Sequence, residues 1–277
     1  MIQDKDTNFV YVSDTLKRYY KDVFNRLTKL FDKIGISWAE IPYTNDFWAR
    51  DYMPIQLADN EFLLYQYYPD YLDNDNDRWS ITDAHKACDA LGIQYYETDL
   101  ILDGGNITPC GDKYVMTSKA IPEGAIVEEI KKQLSTILGA EVVLIPWHKI
   151  SEDEPFGHSD GFIHWCGSNK VLMSNHRNAD AKEANEIKEI LENQGFEVTE
   201  MLFDDIPNQN FDYNWAYINY LQVGKKIIMP VFGISEDKKA LDYIQNANSD
   251  CEVYTFRMRD IANNGGALHC ITWNIKR

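Results

Sequence analysis

Long apolar runs are missing from this chain. No stretch of eighteen apolar residues occurs, so no transmembrane helix is expected. The opening residues, MIQDKDTNFV, offer neither a basic n-region nor an apolar h-region. No signal peptide is therefore expected, and the chain reads as cytoplasmic. Basic clusters are missing too. Lys and Arg number 27 against 44 Asp and Glu, for a net charge of −17. Contact with phosphate needs clustered Lys and Arg, so nucleic acid is excluded as a partner. The acidity has two readings, plain solubility or attraction of cations. Cysteine is sparse: Cys88, Cys110, Cys166, Cys251 and Cys270 are odd in number and widely spaced, which reads as reduced thiols. No CxxC or HxxxH occurs, so no metal site is expected. No linker, low-complexity or Pro-rich stretch divides the chain, which reads as one domain, 1–277. With 44% hydrophobic and 13% aromatic residues over 277 positions, a core without disulfides is within reach.

What is present is a repeat. Helix-like stretches at Asp14 to Ile34, Asp83 to Leu91, Glu123 to Leu138 and Asn178 to Gln194 each end at a Gly. The glycines are Gly35, Gly92, Gly139 and Gly195, spaced by 57, 47 and 56 residues. Glycine favours this place because it enters the left-handed region without steric cost. Each Gly leads into a strand-like run (ISWAEIP, IQYYETDL, AEVVLIP, FEVTEMLF), and Ser235 to Asn246 leads likewise into CEVYTFRM. Each run passes through a polar segment to a hairpin-like pair, such as FIHWCGSNKVLMSNH. The fifth unit ends early, at ALHCITWNIKR. The N-terminal NFVYVS resembles the missing strand, and the expectation is that the two pair and close a ring. The fold class is thus α/β, with five units of strand, helix and hairpin arranged around an axis. An ordinary α/β sheet is the alternative.

The polar segments hold the unusual residues: NDFWARD, LDGGN, PFGHSDG, NQNFDYNWAYIN and NNGGALHC. With Asp51, Asp103, His158, Asn219 and Cys270 as markers, the steps are 52, 55, 61 and 51 residues. A ring with such steps would bring them to one pocket. A thiol is reactive as the thiolate, which a nearby cation or imidazole favours. Gly265-Gly266 before Cys270 permits close approach of backbone to ligand. If His158 and Asp160 lie on a strand, they face the same side. On an extended segment Asp51 could reach inward, with Trp48 as an apolar wall. Enclosed carboxylates are costly without a cation, which favours a planar guanidinium. Taken singly, each has a plain reading: a buried structural Cys, a turn-forming Asp160, an Asp51–Arg50 ion pair.

The segments TNDFWARDYMPI, ILDGGNI, FGHSDGF, YINY and GGALHCIT, between about position 40 and 273, resemble the motifs of the agmatine deiminase and bacterial peptidyl-arginine deiminase family. The resemblance implies the fold of the guanidino-group-modifying superfamily, a five-bladed α/β propeller of ββαβ-type repeats closed by the N-terminal strand. It implies hydrolysis of a small cationic guanidine to a ureido product and ammonia, with no metal or organic cofactor. Cys270 is then the nucleophile, His158 the general acid and base, and Asp51 and Asp160 the guanidinium grips. Trp48 packs beside the substrate stem, and Asp103, Asn106 and Gly266 belong to the binding site. Tyr52-Met53 stands where the family carries a small pair such as Thr-Gly, and Met53 is expected to narrow the pocket mouth. Asp103 replaces the usual Glu, and Trp273-Asn274 stands where Gln residues are common. Agmatine is the first substrate, with peptidyl or modified arginine next. An amidinotransferase, a non-catalytic binding propeller and a Cys-His-Asp amide hydrolase are the alternatives. The Tyr-rich stretch 65–79 is compatible with a homodimer interface, a lid or a surface loop.

Overall fold

The computed structural model describes residues 1–149 and 156–277. Among the described residues there are five three-stranded sheets. The chain packs as two compact units. The first comprises Met1–Gly104, Leu221–Gly224 and Leu268–Arg277, and the second Gly105–Tyr220 and Lys225–Ala267.

In the first unit, strand Phe9–Ser13 pairs antiparallel with Thr272–Ile275, in register Phe9 to Ile275 and Tyr11 to Trp273. The same strand runs parallel to Ser37–Ile41. The expected pairing of the two terminal strands is therefore present. It gives the N-terminal strand a partner on each side, and Val10, Tyr11 and Val12 are fully buried. Hairpin Ile55–Ala58 and Glu61–Gln66 is antiparallel, and its second strand runs parallel to Tyr96–Ile101 after helix Ala84–Leu91. Antiparallel neighbours need only a tight turn, whereas parallel ones need a crossover, which the helix supplies.

The second unit repeats the pattern. Thr108–Cys110 and Lys113–Thr117 form a hairpin, and helix Val127–Leu138 crosses to Glu141–Ile145. Ile163–Gly167 and Lys170–Met173 are followed by helix Ala181–Asn193 and strand Glu197–Glu200. Lys226–Val231 runs parallel to Glu252–Arg257 after helix Asp237–Ala247. Val115, Val143, Ile163, Val171, Met173, Ala184, Ile187 and Leu191 form one core between helix and sheets.

Helix ends fall where the glycines predict. Gly35, Gly92 and Gly139 take φ of 67°, 68° and 69°. Two starts differ. The first helix is two, Asp14–Tyr19 and Lys21–Ile34, broken at Tyr20 (φ −127°, ψ 53°), whose ring meets Phe47 edge-on at 5.2 Å. The third begins at Val127, because Pro122 to Ala125 forms a turn with Gly124 at φ 76°.

Trp273 anchors the terminal strand. It is 2% exposed, its indole N–H donates to the Pro54 carbonyl at 2.9 Å, and its ring packs on Tyr11 and Phe62. Trp273→Ala loses that volume and leaves a carbonyl without its donor, and should cost about 3–5 kcal/mol. Urea unfolding followed by circular dichroism measures it.

Candidate active site

Every candidate residue lies on or beside a single helical turn or a tight turn between a strand and a hairpin. The extended geometry expected for Asp51, and the strand expected for His158 and Asp160, do not occur. Asp51 lies in the four-residue helix Ala49–Tyr52, with Trp48 at its N-cap. His158 is the N-cap of a 3₁₀ turn, Ser159–Gly161, that contains Asp160. Gly104–Asn106 is another such turn. A short turn inverts side-chain direction within three residues, so the alternation rule for strands fails here. Pro155 of the PFGHSDG segment lies outside the described residues.

The first unit holds Trp48, Asp51, Asp103 and Cys270. The Arg50 N–H donates to the Cys270 carbonyl at 3.0 Å, which ties the turn carrying Asp51 to the segment carrying the thiol. The Arg50 guanidinium donates to Asn274 Oδ1, so its side chain is committed there. Asn274 in turn donates to Asp4 Oδ1 at 2.9 Å and to the Gln222 carbonyl at 3.0 Å. The Tyr65 hydroxyl is shared between the carbonyls of Asp51 at 2.5 Å and Met53 at 3.0 Å. Gly104 fits only because it lacks a side chain, since a Cβ would overlap the Arg50 carbonyl oxygen and the Tyr65 hydroxyl. These contacts draw the Asp51 turn, the Asp103-Gly104 loop and Cys270 together. All three candidate side chains are buried, at 5%, 9% and 8% exposure. Trp48 stacks at a tilt on Phe47, 4.4 Å between centroids.

A shell of phenols surrounds the carboxylates. Burial pushes the Tyr65, Tyr67 and Tyr71 hydroxyls well above their ordinary pKa, and the charges of Asp51 and Asp103 push them further. They therefore stay neutral and keep their protons for hydrogen bonding. Tyr65 and Tyr67 open the Tyr-rich stretch, and both point inward, while Tyr68 and Trp79 are exposed.

The substitutions at the motif edges turn away from solvent. Tyr52 and Met53 are fully buried, and the Tyr52 hydroxyl donates to the Asp46 carbonyl at 3.2 Å. Met53 therefore fills core volume, and the expected narrowing of a pocket mouth is not what its position provides. Trp273 is likewise an internal anchor.

The second unit holds Asn106, His158, Asp160 and Gly266. Asn106 Oδ1 accepts from the backbone N–H of Thr117 at 2.8 Å and of Ser159 at 3.2 Å. The Ser159 hydroxyl meets Thr108 Oγ1 at 2.7 Å, and the Thr117 hydroxyl donates to the Gly157 carbonyl at 2.6 Å. Asn106 thus fixes the turn that presents His158 and Asp160, which are 8% and 4% exposed. On the far side of that turn, Asn219 Nδ2 donates to the Asp160 carbonyl at 3.4 Å, and its Oδ1 accepts from Ala267 N at 3.1 Å. Gly265 has φ of 90°, and a Cβ there would press on the Phe156 ring at 2.7 Å, so the Gly265-Gly266 segment lies close against it. The sequence reading assigned no role to Tyr65, Ser159, Thr108 or Thr117, and used Asn219 only as a marker. The one signal available was polar residues at positions otherwise apolar.

No disulfide joins the five cysteines. Burial pushes the Cys88 thiol up to about 12 and the Cys251 thiol up to about 11, and also raises Cys166.

The family model for the Porphyromonas-type peptidyl-arginine deiminase matches residues 1–275. The chain belongs to that family. A protein of Vibrio parahaemolyticus, provisionally named an agmatine deiminase, is 25% identical over 282 residues, covering 86% of this chain and 77% of its own. The structure of the C. jejuni agmatine deiminase superposes with a TM-score of 0.78 at 17% identity, covering 100% of this chain and 95% of that one. That of Enterococcus faecalis gives 0.75 at 19% identity, with 99% and 94% covered. These likenesses show that the chain has the five-bladed α/β fold expected from its repeats. Among the described residues, no helix is long and apolar enough to cross a membrane.

Two measurements test this geometry. Asn106→Ala leaves two buried N–H groups without their acceptor and should destabilise by about 1–3 kcal/mol. Guanidinium chloride unfolding checks the value. Burial pushes Asp46 up to about 6, against hydrogen bonds from the Phe47 and Trp48 N–H groups that lower it. Its native state therefore binds a proton that the unfolded chain has released, and stability falls as pH rises from about 4 to about 6. Asp46→Asn should be more stable than wild type above that window and lose its advantage below it, by thermal unfolding across pH.

Proposed function

We propose that this protein hydrolyses a guanidine, agmatine first and peptidyl or modified arginine next, to a ureido product and ammonia. The observation that carries the reading is the Arg50–Cys270 backbone hydrogen bond, which holds a buried thiol beside a turn bearing a buried carboxylate. Buried carboxylates need a cation, and a guanidinium supplies one that accepts two-point pairing. Family membership and the agmatine deiminase relatives support the same substrate class. A Cys→Ser variant of the C. jejuni agmatine deiminase has been solved with substrate bound.

In this proposal Asp51 and Asp160 pair with the guanidinium N–H groups, and Asp103 supports the site. Trp48 and Gly266 form its walls, and Asn106 acts by holding the His158 turn. The Cys270 thiolate attacks the guanidinium carbon and forms a C–S bond. His158 protonates one nitrogen as its C–N bond breaks, and ammonia leaves. A water molecule gives a proton to His158 and attacks the same carbon. The C–S bond breaks as the added hydroxyl loses its remaining proton to solvent, the thiolate returns and the ureido product departs. No step consumes an oxidant or a co-reactant other than water.

Ammonia release from agmatine, free arginine, an arginine peptide and methylarginine tests the reading. One guanidine should turn over, and Cys270→Ala should lose at least about 10³-fold in kcat. Iodoacetamide should modify Cys270 faster than Cys88, Cys166 or Cys251, which are held as thiols, and substrate should protect it. Full ammonia release by Cys270→Ala would overturn the proposal.

A further inference from the structure

Within the second unit, and sharing no residue with the candidate active site, two imidazoles and three carboxylates converge at the start of helix Ala181–Asn193. His148 Nδ1 lies 3.0 Å from Asp180 Oδ2, and His148 Nε2 lies 3.5 Å from Glu186 Oε2. His176 Nε2 lies 2.5 Å from Glu183 Oε2, and Glu183 Oε1 accepts from the His148 backbone N–H. Asp180 Oδ1 is the helix cap, accepting from Lys182 N at 2.9 Å and Glu183 N at 3.0 Å. Its Oδ2 therefore faces the imidazole. Asp180, Glu183 and Glu186 recur at three-residue steps, which sets them along one side of the helix.

We propose that His148, Asp180 and Glu183 form a site for a divalent transition cation of the zinc type, with His176 supporting Glu183 from outside. One ligand atom from each of the three lies within 4.8 Å of the others. Around a tetrahedral ion with bonds of about 2.1 Å, ligand atoms stand about 3.4 Å apart, so the cluster needs only small side-chain shifts. The mixed imidazole and carboxylate set suits such ions. A second imidazole on a ligating carboxylate is the outer partner that such sites use.

The two imidazoles and the burial of Glu183 make the cluster more than an acidic patch. Glu183 is fully buried, and a carboxylate so placed demands a compensating positive charge. The donors come from positions 148, 180 and 183, which match no short metal motif. A site of this kind would join the segment after strand Glu141–Ile145 to helix Ala181–Asn193. It does not rest on the deiminase reading.

The test is calorimetric titration of Zn²⁺ into tag-free, full-length Cys270→Ala protein, which removes the reactive thiol as a competing ligand. One saturable site per chain is expected, with a rise in Tm on binding. Adding His148→Gln or Asp180→Asn to that protein should each weaken binding at least about tenfold. Asn keeps a capping oxygen at 180, and His148 is partly exposed, so both variants should fold, as circular dichroism would check. Absence of saturable binding at one ion per chain, or binding unchanged by either substitution, would overturn the proposal and leave protonated imidazoles as the compensating charge.

Discussion

The hydrogen bond from the Arg50 N–H to the Cys270 carbonyl joins residues 220 positions apart and sets the terms for everything near it. A four-residue helix has almost no stability of its own, because too few of its backbone groups bond within it. The turn at Ala49–Tyr52 persists because its surroundings occupy those groups. Cys270 takes the Arg50 N–H, and Tyr65 takes the Asp51 carbonyl. Gly104 leaves room for the Arg50 carbonyl. The Arg50 side chain, turned to Asn274, fastens the same turn to the terminal strand. The pairing of Phe9–Ser13 with Thr272–Ile275 is thus connected to the placement of the thiol, through Asn274 and Arg50.

The second unit solves the same problem with side chains. Asn106 accepts two backbone N–H groups, and Asn219 bridges the Asp160 carbonyl and Ala267. An amide can donate and accept at once, so one buried Asn satisfies two chain segments that have no regular structure. The neutral phenols around Asp51 and Asp103 complement this arrangement. Burial and the nearby acidic charges hold these hydroxyls neutral, so they add no charge of their own.

Much of the fold was legible because its signals are periodic. Gly35, Gly92 and Gly139 mark helix ends by a backbone geometry that few other residues adopt, and the Phe9–Ser13 strand declares itself by likeness to its repeats. The candidate residues were legible through motif spacing, but their local geometry was not. A single turn has no period, so the WARD and GHSD segments looked extended. Nor does alternation reveal which way Tyr52 and Met53 face, since both are set by packing against residues distant in sequence. The break at Tyr20 is likewise tertiary, because the ring it positions meets Phe47. The cluster at His148 and Glu183 has no sequence signature at all.

In the proposed reaction Cys270 forms a covalent bond to the substrate carbon. The direct measurement is peptide mass mapping of enzyme acid-quenched during turnover of agmatine, or of whichever guanidine it accepts. An amidino-carbon adduct confined to the peptide containing Cys270 is expected, and it should disappear when substrate is exhausted. Steady ammonia release with no adduct on Cys270, at quench times shorter than one turnover, would contradict it.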